Sequence, residues 1–434
     1  MERIPASERT RERLRAVLDG EMETSDAKSE LVRLAARLII EEGLEGEAED
    51  ALGRGYYARG AAPGAGYRNG YRTGRLKTAE GMVAYSAPQI ADRAEPFRSR
   101  IRQIVAGRSG ELEALAVEMY ARGLSTRDIE SVFADETGKP LLSRTAVSEI
   151  TERLWAEYEA FAGRDLGEFD VQYLFVDGIA ERLHLGQPRE AVLAAWANVA
   201  DGQRALLHLA PGTKEDTASV KEFFQDMRRR GLGDPLLVVS DGAPGVIRAI
   251  EECFPRSLRQ RCLAHKLRNL QSKVPEDQWP GFKARATACY QAASPALARI
   301  LRDDLVATYG GDLPSAVACF EDDFEACIAH LRFPLTHRRA TRTTNLLERL
   351  FGEERRRTKV IPHAFGERAV LKLMFAALIR AAERWRGIKM TEFERRQLIA
   401  IREELNHAHA KRTAPAVSTN VTAPQPRLSS KNRT

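Results

Sequence analysis

The sequence predicts an α/β protein in which a group of alternating strands and helices is flanked and interrupted by helical segments. Short apolar runs, VQYLFVD at 171–177 and PLLVVSD at 235–241, have the length and composition of buried strands. Helical periodicity occupies much of the remaining chain. Breaks such as Asp-Gly, Gly-Gly and Gly-Lys-Pro separate these segments, as expected where elements end.

The N-terminal part begins with a helical pattern and then changes character. Residues 1 to about 50 have apolar residues at helical spacing among mixed charges, which predicts an amphipathic helix. Residues 53–78 contain seven glycines, four tyrosines and six basic residues but no acidic one. So much glycine argues against a regular helix and leaves either a solvated basic loop or a flexible arm that contacts phosphates. The candidate phosphate contacts are Arg68, Arg72, Arg75 and Lys77.

Residues 111 to about 160 predict three helices. The first ends near Arg122-Gly123, Ser125 and Asp128 can form a capping box for the second, and Ser143 can cap the third. This order is typical of a helix-turn-helix module, although any small helical domain has a similar pattern. The candidate DNA contacts are Arg127, Arg144 and Thr145, of which the last two would contact base edges.

The central part has the period of strands. Strands are predicted at 171–177, 182–185, 191–199 and 204–209, followed by a helix at 217–230, a strand at 235–241, a helix at 245–253 and a strand at 258–262. An antiparallel meander followed by helix, strand, helix and strand is the order of an RNase H-like core. Residues 276 to about 335 are helical and predict an all-α insertion, and residues 411–434 predict a disordered basic tail.

These patterns predict six regions. They are an N-terminal region with the basic arm (1–110), a helix-turn-helix-like domain (111–165), the first part of the core (166–275), the helical insertion (276–335), the last part of the core (336–390), and a C-terminal helix with the tail (391–434).

Composition and charge exclude several classes of protein. The 434 residues carry 67 Lys and Arg against 61 Asp and Glu, so the net charge of +6 indicates nothing unless the basic residues cluster. The most apolar stretch, 369–379, is too short to span a bilayer and contains Lys372. The charged N-terminus lacks the apolar core of a signal peptide, and five cysteines at irregular spacing indicate reduced thiols. We therefore expect a cytoplasmic protein.

Two aspartates follow the predicted central strands. Asp177 and Asp241 each precede a glycine, so a hairpin turn is the alternative for the first and an N-cap the alternative for the second. As strand-end carboxylates on neighbouring strands, they could instead share divalent metal ions. A hard cation such as Mg²⁺ prefers oxygen ligands and leaves room for phosphate oxygens.

A third acid is expected at such a site, and Glu348 is the candidate. A capping box with Asn345 would also explain Glu348. Residues 338–359 contain eight basic and three acidic residues, which suits a phosphodiester, although a solvated helix face is the alternative. The candidate DNA contacts in this segment are Arg349, Arg355, Arg356, Arg357 and Lys359.

Three strings resemble those of mutator-type transposases of bacterial insertion sequences: GYRNGYRTGRLKT, RQRCLAHKLRNL and TRTTNLLERLFGEERRRTKVIP. The resemblance runs from about Gly53 to Arg386. It implies a DDE triad on an RNase H-like fold, with the helical insertion between the second Asp and the Glu. By motif match the triad is Asp177, Asp241 and Glu348, which would hold Mg²⁺ or Mn²⁺, two ions in all.

The resemblance also implies a Cys-x₂-His signature, matched by Cys262 and His265. The pair is half of a zinc ligand set, but no second half stands nearby, so packing and hydrogen bonding near Asp241 is the favoured role.

The resemblance implies that the chain cuts and joins double-stranded DNA at the terminal inverted repeats of its element and at target DNA. Because two element ends must meet, a homodimer or higher oligomer is expected, with no membrane partner. The main alternative is a catalytically inactive DNA-binding regulator derived from such an enzyme. A structure-specific or RNA-directed hydrolase on the same fold is a second alternative, and it leaves the basic arm and the helix-turn-helix pattern unexplained.

Overall fold

A computed structural model describes residues 4–20, 27–58, 64–134, 138–181, 183–184, 188–212, 216–358, 366–382 and 386–414. The first elements along the chain are α1 (Ala6–Leu18), α2 (Ala27–Leu52), β1 (Ala65–Thr78), β2 (Gly81–Arg93), α3 (Arg100–Ile104), β3 (Gly107–Arg108), α4 (Gly110–Ala121), α5 (Thr126–Val132), α6 (Arg144–Thr151) and α7 (Arg153–Gly163).

The central elements are β4 (Val171–Glu181), β5 (Glu190–Val199), β6 (Arg204–Pro211), α8 (Thr217–Arg229), β7 (Leu237–Ser240), α9 (Pro244–Cys253), β8 (Leu258–Arg261) and α10 (Leu263–Gln271). Next come α11 (Trp279–Tyr290), α12 (Pro295–Tyr309), α13 (Pro314–Glu321), α14 (Phe324–Cys327), a 3₁₀ turn (Ala329–Arg332) and α15 (Leu335–Thr341). The chain continues with α16 (Asn345–Thr358), α17 (Glu367–Ala382) and α18 (Glu392–Thr413).

The chain divides into two compact units. The first takes in the described residues of Met1–Arg164, Glu181–Arg189 and Arg349–Arg384, and the second those of Asp165–Ala180, Glu190–Glu348 and Trp385–Thr434. Helix α16 therefore begins in the second unit, while its residues after Glu348 pack with the first. In the part of the chain that is described, no helix combines the length and the apolar character that a bilayer crossing requires.

A five-stranded mixed sheet forms the centre of the second unit. The strand order is β6-β5-β4-β7-β8, with β5 antiparallel to β6 and β7 parallel to both β4 and β8. Side chains of α8 and α9, among them Phe223, Phe224 and Ile250, pack with Leu174 and Val238 of the central strands. Because each such side chain contributes about 1.5–3 kcal/mol when fully buried, the two helices hold the central strands in place.

The strands and helices of this centre lie close to the predicted ones, with one exception. The predicted strand at 182–185 is wrong: β4 runs on through Asp177 and Gly178 to Glu181, and Leu183 and His184 are in no strand. Positions 182 and 185 lie outside the described residues. A separate helical core follows in the same unit, built by α10 to α14 around Phe282, Phe320 and Leu331.

The first unit contains a sheet where a basic loop or a flexible arm was predicted. Strand β1 pairs with β2 along almost its whole length and with β3 at its end. The glycines serve this hairpin: Gly66 and Gly70 have φ of 78° and 75°, and the register shifts between Arg68 and Tyr71. The N-terminal region is thus not purely helical. Its hairpin was not predicted because glycine within a strand allows a bulge, and a bulge interrupts the alternating pattern by which strands are recognised.

Helix boundaries also differ from the prediction at several points. The expected N-terminal helix is two helices, α1 and α2, and the expected three helices of 111–160 are four. Helix α6 ends and α7 begins around Glu152, where no glycine or proline marks a break. Residues 411–413 of the predicted tail belong to α18, and residues 415–434 lie outside the described part.

Gly74 is required by the packing of the hairpin. A Cβ at this position would lie 2.2 Å from the ring of Tyr85, which is 3% exposed. Gly74→Ala is expected to lower the free energy of unfolding by about 1–3 kcal/mol, since the buried ring must move. Gly46→Ala, at an exposed interior position of α2 with nothing within 4 Å, should raise the free energy of unfolding by about 0.5–1 kcal/mol. Thermal unfolding of both variants measures these changes in stability, and equal melting temperatures of the two variants would contradict the prediction.

Candidate metal centre

Asp177 lies in the interior of the second unit, on the central strand β4. Its side chain is 4% exposed. Oδ1 accepts a hydrogen bond from the Gly178 amide at 2.8 Å, and Oδ2 accepts one from the Thr344 hydroxyl at 3.2 Å. Because β4 continues past Gly178, the Asp-Gly pair is not a hairpin turn. The hairpin-turn interpretation of Asp177 is therefore wrong, and it does not explain why this carboxylate is buried.

Asp241 follows the neighbouring parallel strand β7. Phe175 pairs with Val239, so Asp177 and Asp241 each stand two residues beyond the last paired positions. Asp241 is partly exposed, and its Oδ1 accepts a hydrogen bond from the Ala243 amide at 3.2 Å. This contact leads the chain into α9, whose N-cap is Ala243. The register thus aligns the backbones of the two aspartates on adjacent strands.

Glu348 lies in the first turn of α16. Its amide donates to the Thr344 carbonyl at 3.3 Å, while its carboxylate reaches across to α10. There Arg268 Nη2 donates to Oε1 at 2.7 Å and to Oε2 at 3.0 Å, and His265 Nε2 lies 3.5 Å from Oε1. The carboxylate therefore pairs with Arg268 rather than folding back on Asn345, as a capping box would require.

Three potential ligands meet in one small volume. Ligand atoms of Asp177, His265 and Glu348 all lie within 4.8 Å of one another, the one such group of three or more found among the described residues. Asp241 is outside this group. The two carboxylates supply the oxygen ligands that Mg²⁺ and Mn²⁺ prefer, and the imidazole is a nitrogen ligand of the kind that later transition metals prefer. The residues present therefore fit a divalent ion.

Cys262 is beside this group but not part of it. The thiol is fully buried; Sγ accepts a hydrogen bond from the Thr344 amide at 3.3 Å and lies 3.4 Å from the Thr344 hydroxyl oxygen. Burial raises the pKa of Cys262, but hydrogen bonds from His265 and Thr344 outweigh it and hold the pKa below its usual value. The Cys262 amide donates to Ser240, the residue before Asp241. Cys262 thus connects the end of β7 to the start of α10.

Arg268 and Thr344 were missed from the sequence. Both lie inside the quoted strings, RQRCLAHKLRNL and TRTTNLLERLFGEERRRTKVIP, but neither is an acid or a metal-ligand type. Spacing could have identified Arg268, because it lies three residues after His265 and so shares its helix face. No local signal identifies Thr344, since its contact with Asp177 spans 167 positions.

The candidate DNA contacts are mostly exposed. Arg72, Arg75, Arg127, Arg144, Thr145, Arg349, Arg355 and Arg356 are exposed, and Lys77 is half-buried. Arg68 is more enclosed: it donates to the Gly55 carbonyl at 3.1 Å and lies over the Tyr56 ring. Arg144 Nε donates to Glu130 at 3.0 Å. Lys359 and the side chain of Arg357 lie outside the described residues.

The fold and the site define a class, an α/β protein with a potential divalent-metal centre at one end of its sheet. Residues 8–387 match the sequence model of the family described as "Transposase, Mutator family". The chain therefore belongs to the Mutator family of transposases.

Relatives with named functions agree with this assignment. The chain is 30% identical to the transposase for insertion sequence element ISRM5 of Rhizobium meliloti (strain 1021). The alignment spans 381 residues, which are 86% of this chain and 94% of the relative. It is 32% identical over 271 residues, 62% of this chain and 84% of the relative, to the transposase for element IS6120 of Mycolicibacterium smegmatis. It is 27% identical over 325 residues, 73% of this chain and 82% of the relative, to the transposase for element IS256 in transposon Tn4001 of Staphylococcus aureus.

Proposed function

We propose that this protein is a DDE transposase that cuts and joins DNA at the terminal inverted repeats of its own insertion sequence, using Asp177, Asp241 and Glu348 to hold metal ions. One observation carries the proposal: ligand atoms of Asp177 and Glu348 lie within 4.8 Å of each other in a chain of this family. The two acids come from a central strand and from a helix far along the sequence. A fold that brings them together buries one carboxylate and pairs the other with an arginine.

The sheet supports an RNase H-like core. A meander of β4, β5 and β6 is followed by helix α8, strand β7, helix α9 and strand β8, in the order β6-β5-β4-β7-β8. The helical segment α11 to α14 then intervenes before α16 presents Glu348. This is the arrangement in which an all-α insertion separates the second aspartate from the glutamate.

The chemistry is two successive displacements at phosphorus. In cleavage, a water oxygen attacks the phosphodiester at the element end, and the P–O3′ bond breaks to leave a 3′-hydroxyl. In joining, that hydroxyl attacks a target phosphodiester, forming one P–O bond as another breaks. Divalent ions, Mg²⁺ or Mn²⁺ and two in number, would lower the pKa of the attacking group and stabilise the leaving oxygen.

The residues of the chain prepare this site. Gly178 and Thr344 fix both oxygens of Asp177, so its carboxylate presents a defined edge. Arg268 holds Glu348 through both oxygens and would have to release this carboxylate for Glu348 to hold a metal ion. Once displaced, the exposed Arg268 side chain could pair with a DNA phosphate. His265, next to Oε1 of Glu348, restricts how the glutamate turns.

DNA contacts are assigned to the exposed basic residues. Arg144 and Thr145 at the start of α6 would contact base edges, and Arg72, Arg75 and Lys77 of the hairpin would contact phosphates, with Arg68 supporting the hairpin base. Arg127 and the basic residues of α16 would add phosphate contacts. Because two element ends must be joined, the active form is a homodimer or a larger assembly.

Removal of the metal tests the proposed activity. The full chain is incubated with labelled DNA that carries the inverted repeats flanking its gene, in Mg²⁺, in Mn²⁺ or with EDTA. Nicked ends and joined products are expected with either metal, and EDTA should abolish both while end binding persists. Binding without cleavage in any metal would instead indicate the inactive regulator. Cleavage without joining would indicate the hydrolase.

A further inference from the structure

Thr344 is a buried polar residue that contacts β4, the residue before α10, and the first turn of α16. Its side chain is fully buried. The hydroxyl lies 3.2 Å from Oδ2 of Asp177 and 3.4 Å from Sγ of Cys262. A hydroxyl has one hydrogen and donates to one acceptor at a time, and the charged carboxylate is the stronger acceptor. The hydroxyl hydrogen is therefore directed to Asp177.

The backbone of Thr344 is fixed independently of its side chain. Its amide donates to Cys262 Sγ at 3.3 Å, and its carbonyl accepts the Glu348 amide, which begins α16. Two residues earlier, the Arg342 carbonyl accepts the Leu263 amide at 3.0 Å. The segment before α16 is thus attached to the start of α10, and Thr344 cannot shift without moving the helix that carries Glu348.

We propose that Thr344 is a positioning residue that sets the separation of the Asp177 and Glu348 carboxylates, with Cys262 holding Thr344 in place. The hydroxyl fixes the Asp177 rotamer, and the backbone of the same residue fixes the first turn of the Glu348 helix. One side chain thereby couples two acids that the sequence places far apart. This inference rests on the proposed function, in which both carboxylates bind the metal.

Two comparisons, each between a variant and its matched control, measure the contribution of the hydroxyl group at position 344. Thr344→Val removes the hydroxyl at constant shape, and wild type is its control. Thr344→Ala removes both the hydroxyl and the methyl, and Thr344→Ser, which keeps the hydroxyl, is its control. If the valine variant does not fold, the alanine and serine variants still give the comparison. Thermal unfolding identifies the variants that retain the fold.

The readout is Mn²⁺ binding to the full chain without DNA, measured by titration calorimetry, together with the Mg²⁺ concentration that gives half-maximal cleavage. Loss of a residue that orients a metal ligand typically weakens binding about 10–100-fold. Thr344→Val and Thr344→Ala should show such a loss, and Thr344→Ser should recover most of the affinity.

Two results would overturn the inference. Folded valine and alanine variants that bind Mn²⁺ as wild type does would show that the hydroxyl positions nothing. A serine variant as weak as alanine would show that only the methyl group matters, which is a packing role. If wild type itself binds no Mn²⁺ and cleaves nothing in either metal, the proposed function fails, and this inference falls with it.

Discussion

Asp177→Asn should reduce both strand cleavage and strand joining about 1000-fold or more while leaving binding to end DNA unchanged. The amide is close in size to the carboxylate, but it lacks the charge that holds a divalent ion. Metal stabilisation of the transition state amounts to several kcal/mol, and each 1.36 kcal/mol is a factor of ten in rate. Gly178 and Thr344 remain in place, so we expect the fold to be retained.

A gel-shift assay and a cleavage assay on the same DNA measure the two effects separately. Asp277→Asn, an exposed acid before α11 in the same unit, is the matched control and should be as active as wild type. Parallel loss of DNA binding and cleavage in Asp177→Asn would show that the substitution disturbs the fold. Near-normal joining by a folded Asp177→Asn variant would remove this residue from the site.

The sheet of the second unit was predictable because its signals are local. Buried parallel strands such as β7 read as short apolar runs, and the amphipathic α8 ends near Gly231 as the sequence indicates. The basic hairpin was not predictable in this way. Its strand β1 owes its stability to a partner strand and to Tyr85 packing over Gly74, and composition alone shows only the glycines.

At the candidate site, too, some features could be predicted from local sequence signals and others could not. Asp177 and Glu348 could be chosen from strand ends, neighbouring charge and family resemblance. The pairing of Glu348 with Arg268, and of Asp177 with Thr344, depends on how α10 and the segment before α16 pack, which joins residues 80 and 167 positions apart. Such contacts leave no periodicity in the sequence. The packing of α17 with the N-terminal helices of the first unit is of the same kind, since Lys372 donates to Glu152 across 220 positions.

Either Asp241 or His265 is the third metal ligand beside Asp177 and Glu348, and substitution of each residue should distinguish the two possibilities. The compact group contains His265, whereas the backbone register aligns Asp241 with Asp177 on the adjacent parallel strand. Neighbouring strands lie about 4.8 Å apart, so a change of the Asp241 rotamer would bring its carboxylate towards a metal shared with Asp177. Its Oδ1 accepts a hydrogen bond from the Ala243 amide at 3.2 Å in the present rotamer.

We therefore expect Asp241→Asn to lose cleavage as severely as Asp177→Asn, about 1000-fold or more. His265→Gln should lose less, about 10–100-fold, because His265 lies 3.5 Å from Glu348 and acts by orienting it. Cleavage rates in Mg²⁺ and in Mn²⁺ measure both variants. Mn²⁺ accepts a nitrogen ligand more readily than the harder Mg²⁺, so removal of an imidazole that ligates the metal directly would reduce the Mn²⁺ rate more than the Mg²⁺ rate. An active Asp241→Asn variant, beside a His265→Gln variant whose cleavage rate falls about 1000-fold and more in Mn²⁺ than in Mg²⁺, would replace the proposed triad with Asp177, His265 and Glu348.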